Sequence, residues 1–179
     1  MALQRHSVYS RRAGFTLVEL LVVIAIIGLL STFAVVALAS AQQSARIAKA
    51  RSDIDAIATA IQMLGQDTGE WPLHQAVDAT CPGCADNEAC GGGDCGARTI
   101  SSGITGLTQN DGVTPYTNWR GPYMAVIPLD PWGSEYFLDT DYDVDPAAPV
   151  VWGAVVGSFG PDKDALNEYD DNDIIRRLR

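Results

Sequence analysis

Residues 15–41, FTLVELLVVIAIIGLLSTFAVVALASA, form an apolar run that contains a single charged residue, Glu19. A helix needs about 20 predominantly apolar residues to cross a bilayer, so this run is long enough to span as one helix. The preceding segment, MALQRHSVYSRRAG, is polar and basic, with Arg5, Arg11 and Arg12. Flanking arginines keep their end of a span in the cytoplasm, which directs the C-terminal bulk to the far side. Three readings compete for such a start. A secretory signal peptide cut after Ala39 or Ala41 has suitable small residues, but the apolar core from Leu20 to Ala39 exceeds the usual 7–15 residues. A plain single-span anchor fits the length. It gives no reason for Glu19, because an acidic group deep in a membrane helix costs about 2.5–3.5 kcal/mol on insertion scales. The third reading is a precursor whose short leader is removed ahead of the helix.

The run Gly14-Phe15-Thr16-Leu17-Val18-Glu19 decides for the third. It resembles the processing site of type IV pilins and type II secretion pseudopilins. The resemblance implies that a membrane aspartyl protease cuts after Gly14 and methylates the new N-terminus at Phe15, leaving Glu19 as the fifth mature residue. A buried carboxylate is tolerated when paired and is strongly destabilising when its partner is missing. In a filament core, Glu19 would pair with the free amine of a neighbouring subunit's Phe15 and so favour one axial register. Gly28 offers either close helix approach or only an ordinary glycine in a membrane helix.

The chain has 179 residues and a formal charge of −10, a length that suits one exported domain behind the apolar segment. Removing residues 1–14 leaves 9 basic and 22 acidic groups, a charge of −13. Such a surface stays soluble and repels copies of itself. It also argues against a nucleic-acid backbone as partner. Past the span, apolar residues recur at Ile47, Ala50, Ile54, Ile57, Ile61 and Leu64. That is a helical stripe, with Arg46, Lys49, Asp53, Asp55 and Gln62 on the other side. Gly65 is the expected stop. A helix from Phe15 to Leu64 would be about 75 Å long.

Four cysteines, Cys81, Cys84, Cys90 and Cys95, sit in a Gly-rich loop. Only the first two have the two-residue spacing of zinc sites, and export favours two disulfides of open pairing over zinc. Residues 99–118 read as loop. Prolines, glycines and alternating aromatics then lead into expected strands at 135–139 and 150–157. Gly121-Pro122-Tyr123 followed by Leu129-Asp130-Pro131-Trp132-Gly133 and Tyr136 resembles the head of the major pseudopilin of type II secretion. Glu70-Trp71-Pro72 matches an aromatic-proline pair that the family places after its helix. Trp119 and Trp132 read as core packing.

Residues 162–173 hold five aspartates and one glutamate. The segment is not an EF-hand. Counted from Asp162, position 5 is Leu166, position 6 is Asn167 and position 12 is Asp173, where an oxygen ligand, Gly and Glu are needed. The segment resembles the calcium loop of major pseudopilins, which implies Asp162, Asp170 and Asp171 as side-chain ligands, with Asp164 and Asp173 as weaker ones. It lacks that family's run of glycines between the acidic clusters. The alternative is a solvated acidic tail.

No catalytic constellation emerges. His6 lies in the leader and His74 stands alone. The expected fold is α+β: a long N-terminal helix packed on a small antiparallel sheet in a loop-rich head. Residues 1–14 form the leader, 15–41 the polymerisation helix and 42–179 the exported head. The leading function is a structural subunit of a type II secretion pseudopilus. It would be a homopolymer with other pseudopilins, processed by a prepilin peptidase and built on an inner-membrane platform. The subunit would rest in the inner membrane with its head in the periplasm. Two alternatives are a type IV pilin and a non-polymerising periplasmic calcium-binding module.

Overall fold

The computed structural model describes residues 14–78, 88–89, 98–145, 149, 151–163 and 172–178. Cys81, Cys84, Cys90 and Cys95, together with Asp164, Asp170 and Asp171, lie outside the described residues. The chain divides into two compact units, Met1–Gln42 and Gln43–Arg179.

Helix α1 runs Leu17–Thr68. Within the second unit it buries Ala50, Ile54, Ile57, Ala58, Ala60, Ile61 and Leu64; of the stripe read from sequence only Ile47 stays half-buried, and Ala58 and Ala60 join it. The expected stop at Gly65 is wrong by one turn. Gly65 stays helical, and its lack of a side chain admits the Trp71 ring, which an added carbon would meet at 3.1 Å. The helix ends instead at Gly69, whose φ of 80° is open to glycine and whose N–H bonds the Gly65 carbonyl at 2.9 Å. A two-residue hairpin follows, with β1 (Glu70–Trp71) antiparallel to β2 (Gln75–Ala76).

The main sheet has three antiparallel strands in the order β3-β4-β5: Phe137–Asp143, Trp152–Ser158 and Ile174–Arg177. The first two start two residues later than expected, and β3 also runs longer, because Tyr136 turns into the core before the ladder begins. Pairing runs Phe137↔Gly157 and Gly157↔Ile175, so β4 is central. The sheet and α1 enclose one core that includes Ile57, Ile61, Leu64, Trp71, Tyr136 and Val156. Burial of each such side chain stabilises the head by about 1.5–3 kcal/mol. A smaller cluster of Phe137, Tyr142, Val155 and Phe159 also forms.

Three aspartates of α1 receive the head. The Tyr136 hydroxyl donates to Asp53 at 2.9 Å, Arg176 to Asp55 at 2.6 Å and the Tyr123 hydroxyl to Asp67 at 2.9 Å. Asp53 and Asp55 are therefore docking points rather than merely the water-facing side of the helix. The Asp130-Pro-Trp-Gly run is a clasp built on one buried carboxylate. Asp130 accepts the N–H groups of Trp132 and Ser134 at 3.0 and 2.8 Å, and the Ser158 hydroxyl at 2.6 Å. Trp119 packs against the core, as expected. Trp132 is only half-buried and joins neither cluster, because the clasp turns it to the rim.

Candidate assembly surface and cation sites

In the first unit, α1 offers apolar side chains to its surroundings throughout. Phe15 is 87 % exposed, and Leu20, Ile24, Ile27, Leu30, Phe33 and Leu38 are exposed as well. One 18-residue window has a mean hydropathy of 2.9, so the helix is long and apolar enough to cross a membrane. Its hydroxyls are internally satisfied: Ser31 donates to the Ile27 carbonyl and Thr32 to the Leu29 carbonyl, both at 2.7 Å. No polar group on these two side chains is left for lipid to solvate.

Glu19 has a local role that the sequence reading missed. Its carboxylate accepts the Thr16 N–H and the Thr16 hydroxyl, both at 2.8 Å, while the Glu19 N–H donates to the Thr16 hydroxyl at 3.2 Å. This is a reciprocal capping box at the helix start, and Thr-x-x-Glu before an apolar run is its signature. The carboxylate is thus satisfied within one chain while it sits five residues after Gly14, the expected cleavage point. Gly28 lies within unbroken helix, with open space where a side chain would be.

In the second unit, Asp162 and Asp173 bracket the acidic tail. Asp162 is exposed and accepts the Asn172 amide at 2.6 Å. Asp173 accepts the Tyr142 hydroxyl at 2.8 Å, which fastens the far end of the tail to β3. The two ends are thereby brought together across the strand junction, Asp162 after β4 and Asp173 before β5.

A second acidic group was not foreseen. Glu88, Asp139 and Asp141 place carboxylate oxygens within 4.8 Å of one another. Asp139 is 0 % exposed and accepts the Asp141 N–H at 2.7 Å through Oδ1. Burial first, then the neighbouring acids Asp141 and Glu88, push its carboxyl up to about 8. Asp139 closed the expected strand at 135–139 and Asp141 lay beyond it, so the sequence carried no signal for the pair. Glu88 carried no signal, because its approach depends on a long-range bridge between Ala89 and Leu138.

His74, expected to stand alone, is surrounded. Its ring stacks on Tyr116 at 4.0 Å, Nδ1 lies 2.6 Å from Glu70 and Nε2 lies 3.2 Å from the Thr114 hydroxyl. The chain reversal at Leu73 and His74, with φ of 60° and 57°, brings it there. Burial pushes the Tyr116 phenol up to about 12. These contacts join the β1–β2 hairpin to the 111–116 turn, engaging one face of the imidazole and both ring nitrogens while the residue stays exposed.

The prokaryotic N-terminal methylation motif matches residues 9–35, which include Gly14, Phe15 and Glu19. The type II secretion system (T2SS) protein G family matches residues 98–177. The type II secretion system core protein G of Aeromonas hydrophila is 30 % identical over 128 residues, covering 70 % of this chain and 71 % of the relative. The chain belongs to the type II secretion system protein G family. Core protein G of Pseudomonas aeruginosa is 29 % identical over 127 residues, 70 % of this chain and 72 % of that one. Core protein G of Escherichia coli K12 is 29 % identical over 163 residues, 89 % of each chain. This major pseudopilin family consists of structural subunits of the pseudopilus and not of enzymes. The secretion class is therefore found in preference to the type IV pilin and the non-polymerising module. The methylation motif implies processing by a prepilin peptidase, and with the apolar helix it is consistent with an inner-membrane anchor.

Proposed function

We propose that this chain is cut after Gly14, methylated at Phe15 and polymerised through residues 15–41 into a periplasmic pseudopilus that drives protein export. Residues 42–179 form its periplasmic head, and an inner-membrane platform assembles it. The observation that carries this reading is the exposed apolar helix that holds one carboxylate, Glu19, at its first turn. In the precursor that carboxylate caps its own helix. Cleavage creates an amine at Phe15, and a neighbouring subunit's amine offers a charge-assisted partner that two neutral donors of Thr16 cannot match. Register then follows from pairing each Glu19 with the amine of the next subunit. In the acidic tail, Asp162, Asp164, Asp170, Asp171 and Asp173 hold calcium, which removes like-charge repulsion and orders the C-terminal segment. Cys81, Cys84, Cys90 and Cys95 form two disulfides in the oxidising periplasm.

Glu19→Ala tests the assembly step. The variant should insert and be cleaved after Gly14, yet yield no filament by cross-linking or electron microscopy. Filaments at wild-type yield would overturn the pairing.

A further inference from the structure

We propose that Glu88, Asp139 and Asp141 form a binding site for a hard divalent cation of calcium size, separate from the acidic tail. The site is built by the sheet. The Ala89 and Leu138 backbones exchange both N–H···O bonds at 2.9 Å, so the bridge sets Glu88 opposite Asp139 in antiparallel register. Asp141 lies two residues along β3, where the pairing with β4 is irregular between Asp139 and Tyr142, and its carboxylate comes within 4.8 Å of those of Asp139 and Glu88. Like charges directly opposite each other across strands are destabilising, and here three acids converge instead of two.

Asp139 is the second, independent indication. Its side chain is 0 % exposed, and Oδ2 is buried without a hydrogen-bond partner. A buried carboxylate oxygen without a partner leaves a desolvation penalty of about 1–3 kcal/mol or more uncompensated. A cation among the three acids would give that oxygen a partner. The dimensions fit. Calcium holds oxygens at about 2.3–2.6 Å, so opposite ligands lie about 4.6–5.2 Å apart, and magnesium at about 2.0–2.1 Å needs a tighter shell. Carboxylate oxygens within 4.8 Å of one another leave room for the larger ion. The ion would reinforce the bridge by which Ala89 holds the outer edge of β3. It would thereby fix one edge of the head.

The full chain, purified in detergent and stripped with chelator, tests this by calcium titration with calorimetry and thermal melting. At a hundredfold excess over its dissociation constant, calcium should raise the melting temperature by about 5–10 °C, reversibly with chelator. Glu88→Gln and Asp139→Asn should each bind one calcium fewer than the wild type at saturation. Asp162→Asn should keep this ion. If Asp162→Asn alone loses calcium, the tail binds and the cluster does not. If Asp139→Asn alone loses it, the cluster stands without the tail. Should Asp139→Asn fold poorly, Glu88→Gln decides, because Glu88 is half-buried and its amide keeps the shape. Wild-type calcium content in Glu88→Gln, or saturation by magnesium in place of calcium, overturns the proposal.

Discussion

At the scale of single residues, Asp111 shows how a loop is held by one carboxylate. It lies in Asn110-Asp111-Gly112, which reads from sequence as a plain turn. In the structure it is 5 % exposed and accepts the Val113 N–H and the Thr114 hydroxyl, both at 2.8 Å. The Val113 bond first, and then the Thr114 hydroxyl, hold its carboxyl below the ordinary value of 3.8. A depressed carboxylate stabilises the fold above the unfolded value and loses that contribution as pH falls through the folded value. Stability should therefore drop below pH 3.8 more steeply in the wild type than in Asp111→Ala. At neutral pH the variant should be less stable by about 1–3 kcal/mol, the worth of hydrogen bonds to a charged group. Urea melts from pH 2.5 to 7 read both effects, and parallel curves for the two proteins would remove Asp111 from the account. Such burial is not legible in sequence. Asp111 and His74, 37 positions apart in sequence, meet in a turn that no periodicity marks. Glu19 is the opposite case. It stood out as the lone charge in an apolar run, and the Thr16 capping partner could have been read three residues upstream.

At the scale of elements, legibility tracks repetition. The stripe of α1 repeats over five turns and was plain, while its end was not, because Gly65 serves the Trp71 ring rather than a stop. Strands β3 and β4 were visible as alternating aromatic and β-branched runs. Strand β5 was missed, since Ile174-Ile175-Arg176-Arg177 has too few residues to show a period and depends on β4 for its pairing. The centre of this sheet predicts its weak point. At Gly157, a side-chain carbon would lie 2.6 Å from the Phe137 ring and 3.0 Å from the Ile174 carbonyl oxygen. Phe137 is fully buried and stacked on Phe159 at 4.6 Å, so the ring has nowhere to go. Gly157→Ala should cost about 1–3 kcal/mol, as overpacking does in other cores. Gly112→Ala is the control, because nothing lies within 4 Å of the added carbon. Equal melting temperatures for the two variants would show that the sheet yields at β4.

At the scale of the whole molecule, two opposing forces set when subunits assemble. Under the proposed processing, the exposed apolar helix would drive association, and the charge of −13 left after cleavage at Gly14 would resist it. Both were readable early, the first from a continuous run and the second from counting. Where the negative charge is neutralised was not readable, because it depends on which carboxylates the fold brings together. Repulsion between heads is screened over about 30 Å at 0.01 M salt, about 10 Å at 0.1 M and about 3 Å at 1 M. Filament yield from cleaved, detergent-solubilised subunits should therefore rise several-fold between about 0.01 and 0.5 M sodium chloride, and less steeply once calcium has neutralised part of the acidic surface. Glu19→Ala should stay unassembled at every salt concentration, because screening relieves repulsion between heads and cannot replace a missing partner in the core. A yield that ignores salt would mean that the acidic faces point away from neighbouring subunits. Restoration of Glu19→Ala by salt alone would mean that register is set by the heads instead.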